Sequence, residues 1–318
     1  MELFKSIILT AGTFAVTSSA IASIEIATSY VGDVGNSADS TGYGAVDYGY
    51  HIGTYEVTNS QYVEFLNAKA QTDTHGLYNS SMLHYDGGIG RTGTSGSYAY
   101  NVTTGMGSKP VLYNTVAFPT AARFANWLTN GQGAGDTETG VYNLTADGIA
   151  NNTVTRDAGE WNSGGVAVSS EDEWYKAAYY QPVSDGGDVD SYWLYPTASN
   201  SMATSDANYS GVGLTDAGTY SHAASYYGTF DQGGNVWELN DTIIDASRGN
   251  RGGSFITSTG DMQPHVRGVD GPLYIDLKIG FRVSSLAPIP EPSTYAAIFG
   301  SLALTVAFVR RKGRGARL

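Results

Sequence analysis

Four carboxylates crowd one short stretch of this chain: Asp231, Glu238, Asp241 and Asp245. Two carboxyl groups held a few ångströms apart can cleave a glycosidic bond, one as acid and one as nucleophile or base. The competing reading is that carboxylates on one turn face solvent, and their separation in space is open at this stage. Glu238 is the most constrained of the four. It follows Trp237 in a run where Phe230, Val236 and Trp237 alternate with glycines. A carboxylate in such company is costly unless it meets a metal, several N–H donors or a cation. Arg248, Arg251 and Arg282 are candidate partners.

Other chemistry is sparse. The chain has no cysteine, so disulfides, thiol nucleophiles and zinc–thiolate sites are excluded. Its histidines, His51, His75, His84, His222 and His265, are scattered without metal-ligand spacing. There is no Gly-x-Ser-x-Gly elbow, no His-Glu-x-x-His and no phosphate loop. Asp185, Asp188 and Asp190 suggest a calcium loop, but the terminal Glu of that motif is missing, and a solvated acidic turn fits better. Gly131-Gln132-Gly133-Ala134-Gly135 follows a helical pattern rather than a strand, which defeats a dinucleotide reading.

The chain of 318 residues carries 17 basic and 30 acidic residues, a net charge of −13. Nucleic-acid binding needs a basic footprint, and the body has none. With 41 glycines and 23 tyrosines but only 15% charged residues, it reads as a turn-rich globular protein.

Several elements must position the carboxylates. Tyr50 to Val57 alternates as a strand does. Thr58 and Gln61 form a capping box, followed by Tyr62, Phe65 and Leu66 on one helical face. Gln71 to Gly107 reads as a long surface excursion with short hairpins. Its Tyr78, Tyr85, Tyr98 and Tyr100 either offer a binding surface or pack locally, and local packing is the preferred expectation. Ala121, Phe124, Ala125 and Leu128 make a helical stripe with Trp127 beside it. Ser170 and Glu173 cap a third helix with an acidic first turn, and Trp174, Ala177 and Ala178 face its core side.

Both ends read as addresses. Met1 to Ala22 has the basic start, apolar middle and small-residue triplet of a secretory leader, with cleavage expected after Ala22. At the other end, Pro288 to Ser293 is helix-hostile. The uncharged stretch 294–309 follows, and Arg310-Arg311-Lys312 closes it. Sixteen residues fall just short of the usual span of about 17–25, which a thinned bilayer or snorkelling arginines can accommodate. The basic end should stay cytoplasmic, leaving the body outside. Pro290-Glu291-Pro292, apolar helix and basic cluster together resemble the PEP-CTERM sorting signal of Gram-negative bacteria. That resemblance implies recognition by an exosortase-type membrane protease. The expected organisation is a leader over 1–22, one domain over 23–286, a sorting and anchor segment over 287–312, and a basic tail over 313–318.

The ordered landmarks of the body resemble the formylglycine-generating sulfatase-modifying factor family. They are Tyr55-Glu56-Val57-Thr58-Asn59-Ser60-Gln61-Tyr62, Ala121 to Leu128, Glu171 to Ala178, Tyr227 to Glu238, Arg251-Gly252-Gly253-Ser254 and Gly280-Phe281-Arg282-Val283. The resemblance implies a single α+β domain, related to C-type lectins and poor in regular secondary structure. Family enzymes that oxidise a sulfatase cysteine use their own cysteine pair to bind copper. The matching segment, between Arg251 and Gly280, has Ser258, Asp261, His265 and Arg267 instead. Without a thiolate that copper chemistry has no ligands, so no copper is expected. The relatives that add sulfur to histidine derivatives carry an iron-binding region, also missing here.

The resemblance also implies structural calcium. The first site would use Gly233, Gly234, Val236 and Glu238; a second would use Asn208 and Tyr209, with further ligands near Asp216. Pairing of Glu238 with an arginine is the competing reading. The function expected is an exported, envelope-associated binding or structural protein that contacts polysaccharide or another surface protein. The alternative is an enzyme of the same superfamily with cysteine-independent chemistry. A deep cleft around the segment from Arg251 to Gly280, holding His265 beside an acid, would favour that alternative, and a filled cleft would not.

Overall fold

The computed structural model describes residues 23–83, 87–112, 117–271 and 278–289. The leader, Pro290, Glu291, Pro292 and the apolar stretch 294–309 lie outside the described residues, as do His84 and Tyr85. Among the described residues no helix is long and apolar enough to cross a membrane.

The chain runs β1 (Thr28–Val31), β2 (Tyr50–Gly53), α1 (Asn59–Lys69), β3 (Ile89–Thr92), β4 (Ala99–Val102) and α2 (Ala117–Thr129). There follow α3 (Ala146–Ala150), α4 (Ala158–Asn162), β5 (Val166–Val168), α5 (Glu171–Tyr179), β6 (Trp237–Ile244), β7 (Ser247–Arg251), β8 (Gly268–Asp270), β9 (Ile279–Phe281) and β10 (Val283–Ser285). Strands are short and long stretches between them are irregular, an α+β domain held by side chains as much as by ladders.

The three helices expected from capping and periodicity form as read. Thr58 Oγ1 accepts from the Gln61 N–H at 3.4 Å while Gln61 Oε1 accepts from the Thr58 N–H at 2.9 Å. Ser170 and Glu173 reciprocate in the same way at 3.2 and 2.8 Å. Each box satisfies two donors that a helix start leaves open. The strand expected over Tyr50 to Val57 is shorter, ending at Gly53, because Thr54 donates back to Ala27 and the chain turns into the α1 cap.

Two four-stranded sheets carry the core, ordered β1-β2-β10-β5 and β8-β7-β6-β9, with β3-β4 as a separate hairpin. The last strand therefore lies inside the first sheet, between β2 and β5. In the second sheet β9 runs parallel to β6, with Glu238 opposite Gly280. Arg282 sits where the chain leaves one sheet for the other. Phe65, Phe124, Trp127, Tyr62 and Phe281 form an interlocked aromatic cluster between helices and sheets. The described tyrosines of the long excursion, Tyr78, Tyr98 and Tyr100, pack locally. Tyr78 and Tyr100 are buried, with ring centroids 5.3 Å apart. The Arg91 guanidinium stacks on Tyr78 and on Tyr98.

Candidate functional site

The glycine-rich turn before β6 brings both sets of expected calcium ligands together. Asn208 pairs with Gly234 as a parallel bridge, and the Asn235 N–H donates to the Asn208 carbonyl at 2.8 Å. Gly234 has φ of +81°, and a Cβ there would overlap the Asn208 carbonyl oxygen. Only glycine permits that approach. Asn235, fully buried, accepts on Oδ1 from Asn208 Nδ2 at 3.1 Å and donates from Nδ2 to Glu56 Oε1 at 3.2 Å.

Glu238 is fully buried on β6, and its partner is Arg282. Arg282 Nε and Nη2 each donate to one carboxylate oxygen at 2.5 Å, and Trp174 Nε1 donates at 2.8 Å. Arg282 directs its remaining N–H groups to the carbonyls of Gly53, Thr54 and Phe230. All five guanidinium donors therefore have acceptors. This is the satisfied form of a buried ion pair, in which removing either partner strands the other. Arg248 and Arg251 serve other sites. Arg248 reaches Asn152 and the carbonyls of Asp241 and Val154, and lies over the Phe118 ring. Arg251 binds Glu171 at 2.7 Å.

Two further carboxyl groups face the same guanidinium. Glu56 is buried, and its Oε2 has no hydrogen-bond partner among the described residues. Burial, then the neighbouring Asp231 and Glu238 carboxylates, push its carboxyl well above the usual range. Burial also raises Asp231, to about 6, although the Gly218 N–H donates to it at 2.6 Å. One arginine thus faces three acids, and its two strongest bonds go to Glu238.

The carboxylate pair suggested by the sequence does not assemble from Asp241 and Asp245. Asp241 accepts from Arg156 Nε at 2.6 Å and from the Tyr142 hydroxyl at 2.7 Å, while Asp245 is exposed. Arg156 also grips both oxygens of the capping residue Glu173, at 2.7 and 2.8 Å. Burial raises the Glu173 carboxyl, but Arg156 and the Ser170 N–H outweigh it and hold it below the usual range. Nothing in the local sequence announces this second ion-pair network, because Arg156 and Asp241 are far apart in the chain.

The described residues do not fit a calcium ion at the first turn. Both oxygens of Glu238 face a guanidinium, and a divalent cation there would meet a fixed positive charge. Gly233, Gly234 and Val236 instead carry the turn itself. At the second position, Asn208 is engaged with Gly213 and Asn235, and Tyr209 packs beside Tyr195 and Met262. Asp216 lies 3.7 Å from Lys109 Nζ. No group of three or more acidic or histidine side chains suited to a metal occurs among the described residues.

An open cleft lies elsewhere. A cleft of about 370 Å³ is lined by Asp39, Asp188, Asp190, Trp193, Asn200 and His265, among others. Three separate segments build it. Tyr192 anchors its floor, donating to the Ser37 carbonyl at 2.7 Å and accepting from Asn36 at 2.8 Å. Trp193 Nε1 is held by Gln181 at 2.9 Å. Asp188 accepts from Asn200 at 2.6 Å, and Asp190 accepts from the Tyr192 N–H at 3.1 Å. His265 is exposed there, in a lining that also holds three aspartates. The other described histidines are apart from it: His75 lies 3.6 Å from Glu138, His222 lies 3.4 Å from Asp206, and His51 packs on Tyr30. The acidic turn at 185–190 thus has a place in the fold that the sequence did not disclose, as one rim of a cleft.

Comparisons with known proteins agree with this architecture. The Treponema denticola variable protein 1 superposes with a TM-score of 0.56 at 19% identity, over 84% of this chain and 97% of that one. The structure of CarF does so with a TM-score of 0.52 at 19% identity, over 82% and 98%. Both likenesses concern the fold. Among curated proteins no relative matches. The model of the sulfatase-modifying factor enzyme 1-like domain matches residues 3–286, and the chain belongs to that family.

Proposed function

We propose that this family member binds rather than catalyses: an exported, envelope-associated protein that contacts polysaccharide or a surface protein through the cleft at Asp39, Trp193 and His265. The observation that carries this reading is the cleft's lining. Carboxylates and amides pair with hydroxyl groups, and a partly exposed indole offers a face for a sugar ring. The lack of cysteine supports it, since the copper–thiolate chemistry of the oxidising relatives has no ligands in this chain. The leader-like 1–22 and the Pro290-Glu291-Pro292 segment support export, then sorting by an exosortase-type protease or retention by the apolar stretch that follows.

Glycan arrays probed with the full chain test the reading. Binding to a subset of glycans, reduced at least about tenfold by Trp193→Ala, is expected on the loss of a stacking face. Uniformly blank arrays would remove polysaccharide as the ligand. One observation favours the enzymatic alternative: His265 lines the same cleft as Asp39, Asp188 and Asp190, residue types that serve in proton transfer. Turnover of a glycoside or thiol peptide, abolished by His265→Ala, would establish it.

A further inference from the structure

We propose that residues 24–27 form a strap whose seating is linked to the protonation of Glu56, seated when the carboxyl is neutral and released as it ionises. The strap alternates in burial, with Ile24 and Ile26 buried and Glu25 and Ala27 exposed. It is not held by a regular ladder. Gln132 clamps Ile24 by its side-chain amide, accepting from the Ile24 N–H at 2.7 Å and donating to its carbonyl at 2.9 Å. Gln61 donates to the Glu25 carbonyl at 2.8 Å, and the Thr54 N–H donates to Ala27. A few side-chain bonds and two isoleucines make a segment that can open without the rest of the domain.

Beneath it lies a cavity of about 40 Å³, with Ile26 and Ala27 on the strap side and Glu56, Thr58 and Gln61 opposite. That is room for about one water, which also needs two or more polar partners to stay. Glu56 is 2% exposed and one of its oxygens has no partner among the described residues. The charged groups that face it are Asp231, Glu238 and Arg282, and Arg282 is already engaged by Glu238. Ionising Glu56 under a closed strap therefore adds an unsolvated negative charge beside two acids. Lifting the strap would open to water the cavity that Glu56 lines. Seating and protonation then bias each other by the same factor, as any linked pair must.

Hydrogen exchange of the full-length chain in mild detergent tests this, read as protection relative to the unstructured chain at the Ile24 and Thr54 amides. Protection is expected to fall as pH rises above the ordinary glutamate range, by at most about tenfold per pH unit. Glu56→Gln should flatten that dependence. Gln132→Ala should lower protection at every pH while keeping the slope, and it serves if Glu56→Gln does not fold. In Gln132→Ala the Glu56 carboxyl, followed by carbon NMR, should also titrate at lower pH than in the parent. Protection that does not vary with pH, a slope unchanged in Glu56→Gln, or a Glu56 titration unmoved by Gln132→Ala would each overturn the link.

Discussion

The turn at Gly233–Glu238 and the cleft at Asp39–His265 both gather carboxylates, and they resolve the charge in opposite ways. At the turn, water is shut out, so each charge needs a protein partner: Glu238 takes Arg282, and Glu56 keeps an oxygen with no donor among the described residues. At the cleft, Asp188 and Asp190 keep solvent beside them and need only local amide donors. The first region holds two sheets together through one guanidinium that touches β6, the end of β2 and the turn at Phe230. The second leaves its polar groups available. A motif rich in functional-looking residues is here the keystone of the fold, and an acidic surface turn keeps its polar groups in reach of solvent.

The sharpest way to break that contrast is Arg282→Leu. It strands Glu238 and leaves three carbonyls without donors, so a loss of about 3–5 kcal/mol in urea unfolding is expected. A loss below about 1 kcal/mol would mean that the pair is not what joins the sheets. The next effect is a pH dependence. Asp231 is raised from about 3.8 to about 6, so the folded state holds its proton more tightly than the unfolded chain does. Stability contributed this way is full below about pH 4 and declines as pH climbs towards 6, by on the order of 3 kcal/mol from Asp231. Glu56, raised in the same direction by burial and the neighbouring carboxylates, adds to the decline. Asp231→Asn should flatten the lower part of the curve, and Glu56→Gln should stabilise the domain at neutral pH. A stability that rises from pH 4 to 7 in the parent would contradict the burial of these acids. Gly234→Ala comes third: positive φ and the overlap with Asn208 predict a loss of more than about 1 kcal/mol.

What the sequence disclosed follows the range of the interactions. The capping boxes at Thr58 and Ser170 are complete within four residues, so they were legible and the helices start where expected. Glu238's need for a counter-charge was legible from Trp237 and the glycines, but not which arginine would meet it. That choice depends on the parallel pairing of β6 with β9, which delivers Arg282 from a distant part of the chain. The same pairing gives Glu238 an arginine, the partner weighed against calcium in the sequence. Glu56 was visible only as part of a motif. Asn235, Asp231 and Arg282, which surround its carboxyl, come from distant parts of the chain. The cleft left no local signal, because each of its three segments reads alone as a polar turn.

The smallest expected effect bears most directly on function. His265→Ala and Asp190→Asn alter side chains that solvent already reaches, and the Asp190 carboxylate accepts a backbone bond from within its own turn. Each should change stability by no more than about 0.5 kcal/mol in urea unfolding. If so, the cleft can exchange its polar groups without cost to the domain, as a surface that selects a ligand requires. The Glu238 turn cannot, since every donor there answers a buried acceptor. Should either cleft substitution cost as much as Gly234→Ala, the cleft would be part of the scaffold, and the contrast between the two acidic regions would be one of exposure alone.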